Sequence, residues 1–345
     1  MDKAINNKGL LREKGRIQFF DLAKGILIIT VAFEHLIIGS LDNYSDNRLL
    51  CYVTSFNMVA FFIISGYMLK FSAMRLTTLK GLCRHLSKRV FQLFVPIIVW
   101  GAVRFYLLYP EEQYGWYEMI KYVLCKDLWF LRCLFVCDGV LSMVLFFSAK
   151  FERLRIYLHN LLFVVLSVAA VVLLEYVKDV DFFFNCYYYL PFLVVGLLLN
   201  CERGNVLLSS PLCLGFSAVG FCLLVHLYTF SGTSIFIRYP LAILGSFSLL
   251  TICKSICNTN RFYDYLVSLG KFTLPIYCMH LLFLKNVHVV FFEWHFLNLI
   301  ALSIIASLLV AVCFIICKIL SICNYTDFLF NGNVKSIKKL TLITG

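Results

Sequence analysis

Residues Asp21 to His35 read DLAKGILIITVAFEH, an apolar run that carries the ionisable side chains Asp21, Lys24, Glu34 and His35. An imidazole exchanges its proton near neutral pH, so His35 could serve as a general base towards a weak acid such as an alcohol. Lys24 adds a positive charge eleven residues earlier. At about 100° per residue the two share one face of a helix, about 16 Å apart along its axis. A cation and an imidazole on one stripe of an apolar helix are costly in lipid unless they face an aqueous or ligand-filled cavity. The alternative is a snorkelling lysine and a hydrogen-bonded histidine, although His35 and Glu34 lie too deep in the run to snorkel.

Other polar residues interrupt apolar runs further on: Arg104, Arg132, Asp138, His226, His280 and Lys285. An arginine cannot neutralise itself by losing a proton, so Arg104 and Arg132 need an anion, and Glu34 is a candidate. Either they form a structural ion pair that fixes helix packing, or they belong to a site for an anionic or hydroxyl-rich substrate. His280 lies in LPIYCMHLLF, with Tyr277 three residues earlier on the same helix face. Two histidines in separate runs, with cations nearby, point to a buried polar site. In FFIISGYMLK, Ser65 and Gly66 are small residues that let helices approach closely. LWFLR, Leu128 to Arg132, puts Trp129 at the level of an interfacial aromatic belt.

From Lys70 to Arg89 there are six basic residues and no acid: Lys70, Arg75, Lys80, Arg84, Lys88 and Arg89. One reading is topology determination, with lipid phosphates as partners. The other is a docking surface for a cytoplasmic polyanion such as a nucleotide or coenzyme A, whose phosphates require several cations.

The elements that must position these residues follow from composition. The 345 residues are 61% hydrophobic and only 14% charged, with a mean hydropathy of +0.86. A soluble domain is about a quarter charged, so the fold expected is an all-α polytopic membrane protein. Apolar runs near 20–41, 50–70, 90–109, 128–148, 157–176, 187–200, 211–229, 235–253, 272–292 and 296–320 give about ten transmembrane helices. The run at 187–200 is short, and an opening at Phe182 would lengthen it.

With the N-terminus inside, 22 of the 31 Lys and Arg residues fall in inner segments. Both termini are therefore expected in the cytoplasm. This divides the chain into a cytoplasmic segment 1–19, a transmembrane domain 20–320 and a cytoplasmic tail 321–345. The first run carries charges and lacks a small-residue cleavage site, which points to a retained span rather than a signal peptide. The net charge of +12 then reports cytoplasmic loops and not nucleic acid. Most of the 15 cysteines sit inside apolar runs as small hydrophobes. Cys125 and Cys186 could form one bridge. No CxxC pair or histidine cluster supports a metal site, and none is expected.

Taken in order, these segments make the chain resemble the acyltransferase family 3 of integral membrane O-acyltransferases, most closely its sugar-acetylating branch. The family's opening signature is a basic residue, ten intervening residues and a histidine, within D-x-x-(R/K)-G-(I/L). Asp21, Lys24, Gly25 and His35 match it, with lysine where many members have arginine. FF-x-x-SGY in the second helix, LWFL before the fourth and (L/P)IY-x-x-H in the ninth follow in order, so the resemblance covers roughly 16 to 292.

The resemblance implies transfer of an acyl group, with acetyl expected, from cytoplasmic acyl-CoA to a hydroxyl of a cell-surface glycan or lipid-linked sugar. It implies a bacterial inner membrane and no metal. His35 is then the general base, and Lys24 contacts the pantetheine or phosphate end of the donor. Arg84, Lys88 and Arg89 bind coenzyme A. Arg104, Arg132 and Glu34 line the acceptor site, and His280 with Tyr277 orients substrate or stabilises charge. A transporter or flippase for sugars or lipids remains the alternative, because buried charges also mark transport pathways.

Overall fold

The computed structural model describes residues 12–13, 16–40, 47–108, 115–150, 156–228, 233–256, 260–284 and 295–336. Apart from a short antiparallel pair, Arg12–Glu13 with Arg16–Ile17, its elements are helices. They are α1 (Gln18–Ser40), α2 (Arg48–Thr54), α3 (Asn57–Leu76), α4 (Leu79–Arg89), α5 (Val95–Leu108), α6 (Trp116–Lys121), α7 (Trp129–Ala149) and α8 (Ile156–Tyr176). There follow α9 (Cys186–Leu199), α10 (Glu202–Leu207), α11 (Pro211–Val225), α12 (Ile235–Ser255), α13 (Arg261–Lys271), α14 (Thr273–Leu284), α15 (His295–Leu320) and α16 (Asn324–Asn331).

Among the described residues, seven helical stretches are long and apolar enough to cross a membrane, and an eighth is reached if the broken pair α13 and α14 counts as one span. Two further apolar helices, Asn160–Tyr176 and Pro211–Val225, are shorter. The described helices thus give seven or eight spans against the about ten expected; the ten apolar runs overlap these stretches over their described parts, and 285–292 lies outside the described residues. Of the two shorter helices, α11, with 15 residues, rises about 22 Å at 1.5 Å per residue, less than the hydrocarbon thickness of a bilayer. A 3₁₀ turn at Asp181–Phe183 does extend the stretch that ends in α9, which runs Asp181–Leu199.

The chain folds as two units. The first takes residues 1–61, 201–273 and 286–314, and the second takes 62–200, 274–285 and 315–345. In the first, α1 packs against α13 and α12. Gly25 and Gly270 bring the α1 and α13 backbones together: a Cβ at Gly25 would lie 2.0 Å from Leu266 O, and one at Gly270 would lie 1.8 Å from Asp21 O. Leu266, Val267 and Leu269 supply the buried face of α13. On the other side of this unit α11 packs on α12, where Ser248 Oγ donates to Ser217 Oγ at 3.0 Å.

In the second unit α7 is the hub, touched by α4, α8 and α9. Gly66 of α3 and Gly196 of α9 repeat the reciprocal arrangement, a Cβ on either falling within 2.0 Å of a carbonyl oxygen, Leu193 O or Ile63 O. The small residue singled out in FFIISGYMLK is thus a close-approach contact. A π-helical turn, Val90–Phe94, joins α4 to α5. The wider turn accommodates Pro96, which has no N–H to donate to the preceding turn. At the far end Trp100 Nε1 donates to Phe330 O at 2.9 Å and ties α5 to α16.

Candidate active site

The first unit holds the opening motif on one unbroken helix, α1. Asp21 lies in its first turn, where a carboxylate complements the helix dipole. Lys24 Nζ is 2.6 Å from Asp21 Oδ1, so the ammonium is held by a neighbour one turn back. His35 stands three turns further along, half-buried. Glu34, also half-buried, accepts a hydrogen bond from Nδ2 of Asn57 at the start of α3. Lys24 and His35 therefore occupy one stripe of α1, as their spacing requires.

The other motifs converge inside the second unit. Phe62 from FF-x-x-SGY sits 5.5 Å from Phe130 of LWFL, ring centre to ring centre, and stacks on Tyr189 at 4.6 Å. Phe130 meets Tyr277 of the PIY-x-x-H motif at 5.3 Å, and Tyr277 lies 5.6 Å from the His280 ring. Trp129, expected at an interfacial belt, packs on Tyr189 at 5.6 Å and is half-buried. His280 is 1% exposed. Its Nδ1 is 2.7 Å from Tyr277 O, and a carbonyl can only accept, so Nδ1 carries the hydrogen. In the neutral ring Nε2 is then the basic nitrogen, and the tautomer is set by the backbone.

The buried arginines find their partners within this unit. Glu34 is a candidate counter-ion from the sequence; the carboxylate beside Arg104 is Asp127, with Arg104 Nη1 2.8 Å from Asp127 Oδ1 and both residues buried. Arg104 points to Asp127 because Leu128 takes a left-handed conformation, φ 45°, that turns the chain out of the Tyr122–Lys126 turn into α7. That backbone state costs a bulky residue about 1–3 kcal/mol. Burial raises the Asp127 carboxyl above its ordinary range, and the Arg104 charge opposes that shift. Arg132 Nη1 donates to Leu124 O at 2.7 Å. Among the described residues, Nε of Arg104 and Nε of Arg132 are buried without a hydrogen-bond partner.

The basic segment is the wall of a cavity of about 380 Å³. Arg75, Lys80, Arg84, Lys88 and His85 line it, together with Thr78 and no acid. Thr78 Oγ1 accepts from Gly81 N at 3.1 Å and caps α4, so the positive end of that helix dipole opens on the same space. Arg89 does not line it. Arg89 Nη2 is 2.8 Å from Asp138 Oδ1, and His85 Nε2 is 2.7 Å from Asp138 Oδ2. Asp138, 1% exposed, thus holds one cavity residue, His85, from behind.

All described cysteines are free, including Cys125 and Cys186, so the bridge considered for them does not form. Cys186 is instead buried beside Cys133 and Cys137, their sulfurs within 4.8 Å of one another. His226 ends α11 as an exposed residue and stacks edge-on to Tyr52. Lys285 lies outside the described residues. Sequence reasoning passed over Asp127, Asn57 and Tyr189. The signal for Asp127 was a carboxylate directly before LWFL, the motif that already held an unpaired arginine.

The family described as "Acyltransferase domain" matches residues 17–318 of this chain. Among curated proteins, "Nodulation protein NolL" of Sinorhizobium fredii (strain NBRC 101917 / NGR234) is 34% identical over 88 residues. That match covers 24% of this chain and 23% of the relative, so the chain aligns with under a quarter of the relative's length. No solved structure matches.

Proposed function

Because the chain belongs to the acyltransferase family 3, we propose that it moves an acetyl group from cytoplasmic acetyl-CoA to a hydroxyl of a cell-surface glycan or lipid-linked sugar, in a bacterial inner membrane. The acid-free cationic cavity carries the donor half of this reading. Arg75, Lys80, Arg84 and Lys88, with the α4 N-terminus, suit the phosphates of coenzyme A. The excess of Lys and Arg around this segment supports a cytoplasmic position, where the donor is made. Arg89 acts one step back, since it shares Asp138 with His85.

The acceptor oxygen attacks the thioester carbonyl, and His35 takes the hydroxyl proton as the new C–O bond forms. The C–S bond then breaks, and the coenzyme leaves as a thiolate that regains a proton. In this reading Lys24, about 16 Å from His35 along α1, is the contact for the pantetheine or phosphate end of the donor. A guanidinium has five N–H donors, so Arg104 and Arg132 retain donors for the acceptor or the tetrahedral oxyanion beyond those already used. His280, with Nδ1 held by Tyr277 O, is the residue that orients the hydroxyl through Nε2. Glu34, held by Asn57, lines the acceptor side.

The test uses purified protein in lipid nanodiscs. Coenzyme A binding should weaken at least tenfold in Arg84→Gln/Lys88→Gln, with a shallower salt dependence, and labelled acetyl should appear on a surface glycan acceptor with the unmodified protein. Unchanged affinity and salt slope would reduce the segment to a topology signal. Mass analysis of surface glycans from cells with and without the protein then identifies the acceptor.

A further inference from the structure

The three thiols between α7 and α9 take no part in the proposed transfer, yet they come together from separate segments. Cys133 and Cys137 are one turn apart on α7, with sulfurs 3.9 Å apart. Cys186, the first residue of α9, joins them, and all three sulfurs lie within 4.8 Å of one another. Asn185, in the left-handed conformation at φ 61°, starts α9 at this point. The three cysteines are buried to 1% exposure or less.

We propose that Cys133, Cys137 and Cys186 form a three-thiolate site for a soft d¹⁰ cation, Cu(I) or Zn(II). A metal–sulfur bond is about 2.3 Å, which places three sulfurs around one ion about 4 Å apart. The Cys133–Cys137 separation of 3.9 Å fits that triangle, and the other two, within 4.8 Å, come near it, while all three cysteines are free of disulfides. An all-sulfur donor set selects soft cations over Mg²⁺, Ca²⁺ or Mn²⁺. Arg132, buried and adjacent to Cys133, lies within electrostatic range of Cys133 and Cys186. With the Arg132 guanidinium, three thiolates sum to zero charge around Zn(II) and to −1 around Cu(I). Three thiols alone close the shell of trigonal Cu(I), whereas Zn(II) needs a fourth donor. On binding, three S–metal bonds form and three thiol protons pass to solvent, so affinity falls as pH is lowered.

The site would clamp the start of α9 to α7, and its test is independent of acetyl transfer. Purified protein in reductant is titrated anaerobically with Cu(I) and, separately, with Zn(II), desalted, and analysed for retained metal and thermal stability. About one equivalent of one ion is expected, with a raised melting temperature and three sulfurs in the X-ray absorption shell, joined by a fourth donor if the ion is Zn(II). Retention should fall at least tenfold in Cys137→Ala and Cys186→Ala but not in Cys253→Ala, a buried cysteine elsewhere. Which ion is retained decides between the two. Retention of neither ion by the unmodified protein, an absorption shell of nitrogen or oxygen, or equal retention in Cys137→Ala would overturn the proposal. The first two readouts need no variant, so a misfolded substitution does not blunt the test.

Discussion

The two units hold their buried charges in different ways. In the first, the ionic contact is local: Asp21 and Lys24 are three residues apart on one helix, and the lysine side chain is 28% exposed. In the second, Arg104 meets Asp127 across the α5–α7 connection, and Asp138 gathers His85 and Arg89 from about fifty residues away, with Asp138 and the Arg104–Asp127 pair nearly sealed from solvent. The lysine end of the local pair is open enough to meet water or a ligand, while Asp21, 4% exposed, stays buried. A sealed pair assembled from distant segments cannot lose one member without leaving an uncompensated charge. The first arrangement suits a lysine that must be free to meet a substrate, and the second suits a scaffold.

Substitutions can break this contrast. The largest effect belongs to His35→Ala, which should lower acetyl transfer by about 10²–10⁴-fold, the usual contribution of a general base, with the protein still monodisperse and its melting temperature unchanged. Unchanged transfer would remove His35 from the chemistry. Next comes Arg104→Ala, expected to cost about 3–5 kcal/mol of stability by stranding Asp127, whereas Arg104→Met with Asp127→Leu should recover most of it. Chemical denaturation in detergent reads both; equal loss in the single and double variants would mean that the pair is not the unit of stability.

The glycine contacts should behave alike in the two units. Gly25→Val and Gly66→Val each force a branched side chain against a backbone carbonyl and should cost at least about 1–3 kcal/mol. A tolerated Gly66→Val would show that α3 and α9 can separate. Lys24→Ala also leaves a buried carboxylate, Asp21, without its cation, but the vacated lysine position is 28% exposed and admits water, so its folding cost should fall below that of Arg104→Ala; the proposed donor contact adds a raised Michaelis constant for acetyl-CoA. A stability loss as large as that of Arg104→Ala would erase the distinction between the units.

Much of this was readable in the amino-acid order. The apolar runs fell on helices, and the small residue at Gly66 fell on a close contact, because a lipid-spanning helix must be long, apolar and internally hydrogen-bonded whatever its neighbours are. The Lys24–His35 stripe follows from helical pitch alone. The counter-ion of Arg104 was not readable. Glu34 and Asp127 are equally acidic in the sequence, and only the left-handed turn at Leu128 aims Asp127 at the guanidinium.

The same limit governs the site. Sequence determined which residues carry chemistry, since side-chain type and helical period are properties of short segments. The tertiary structure alone decided that Phe62, Phe130, Tyr277 and His280 form one cluster, that Arg89 turns away from the cavity while His85 enters it, and that a third thiol joins Cys133 and Cys137. Those meetings depend on how helices far apart in the chain pack side by side, and no local pattern of residues encodes that geometry.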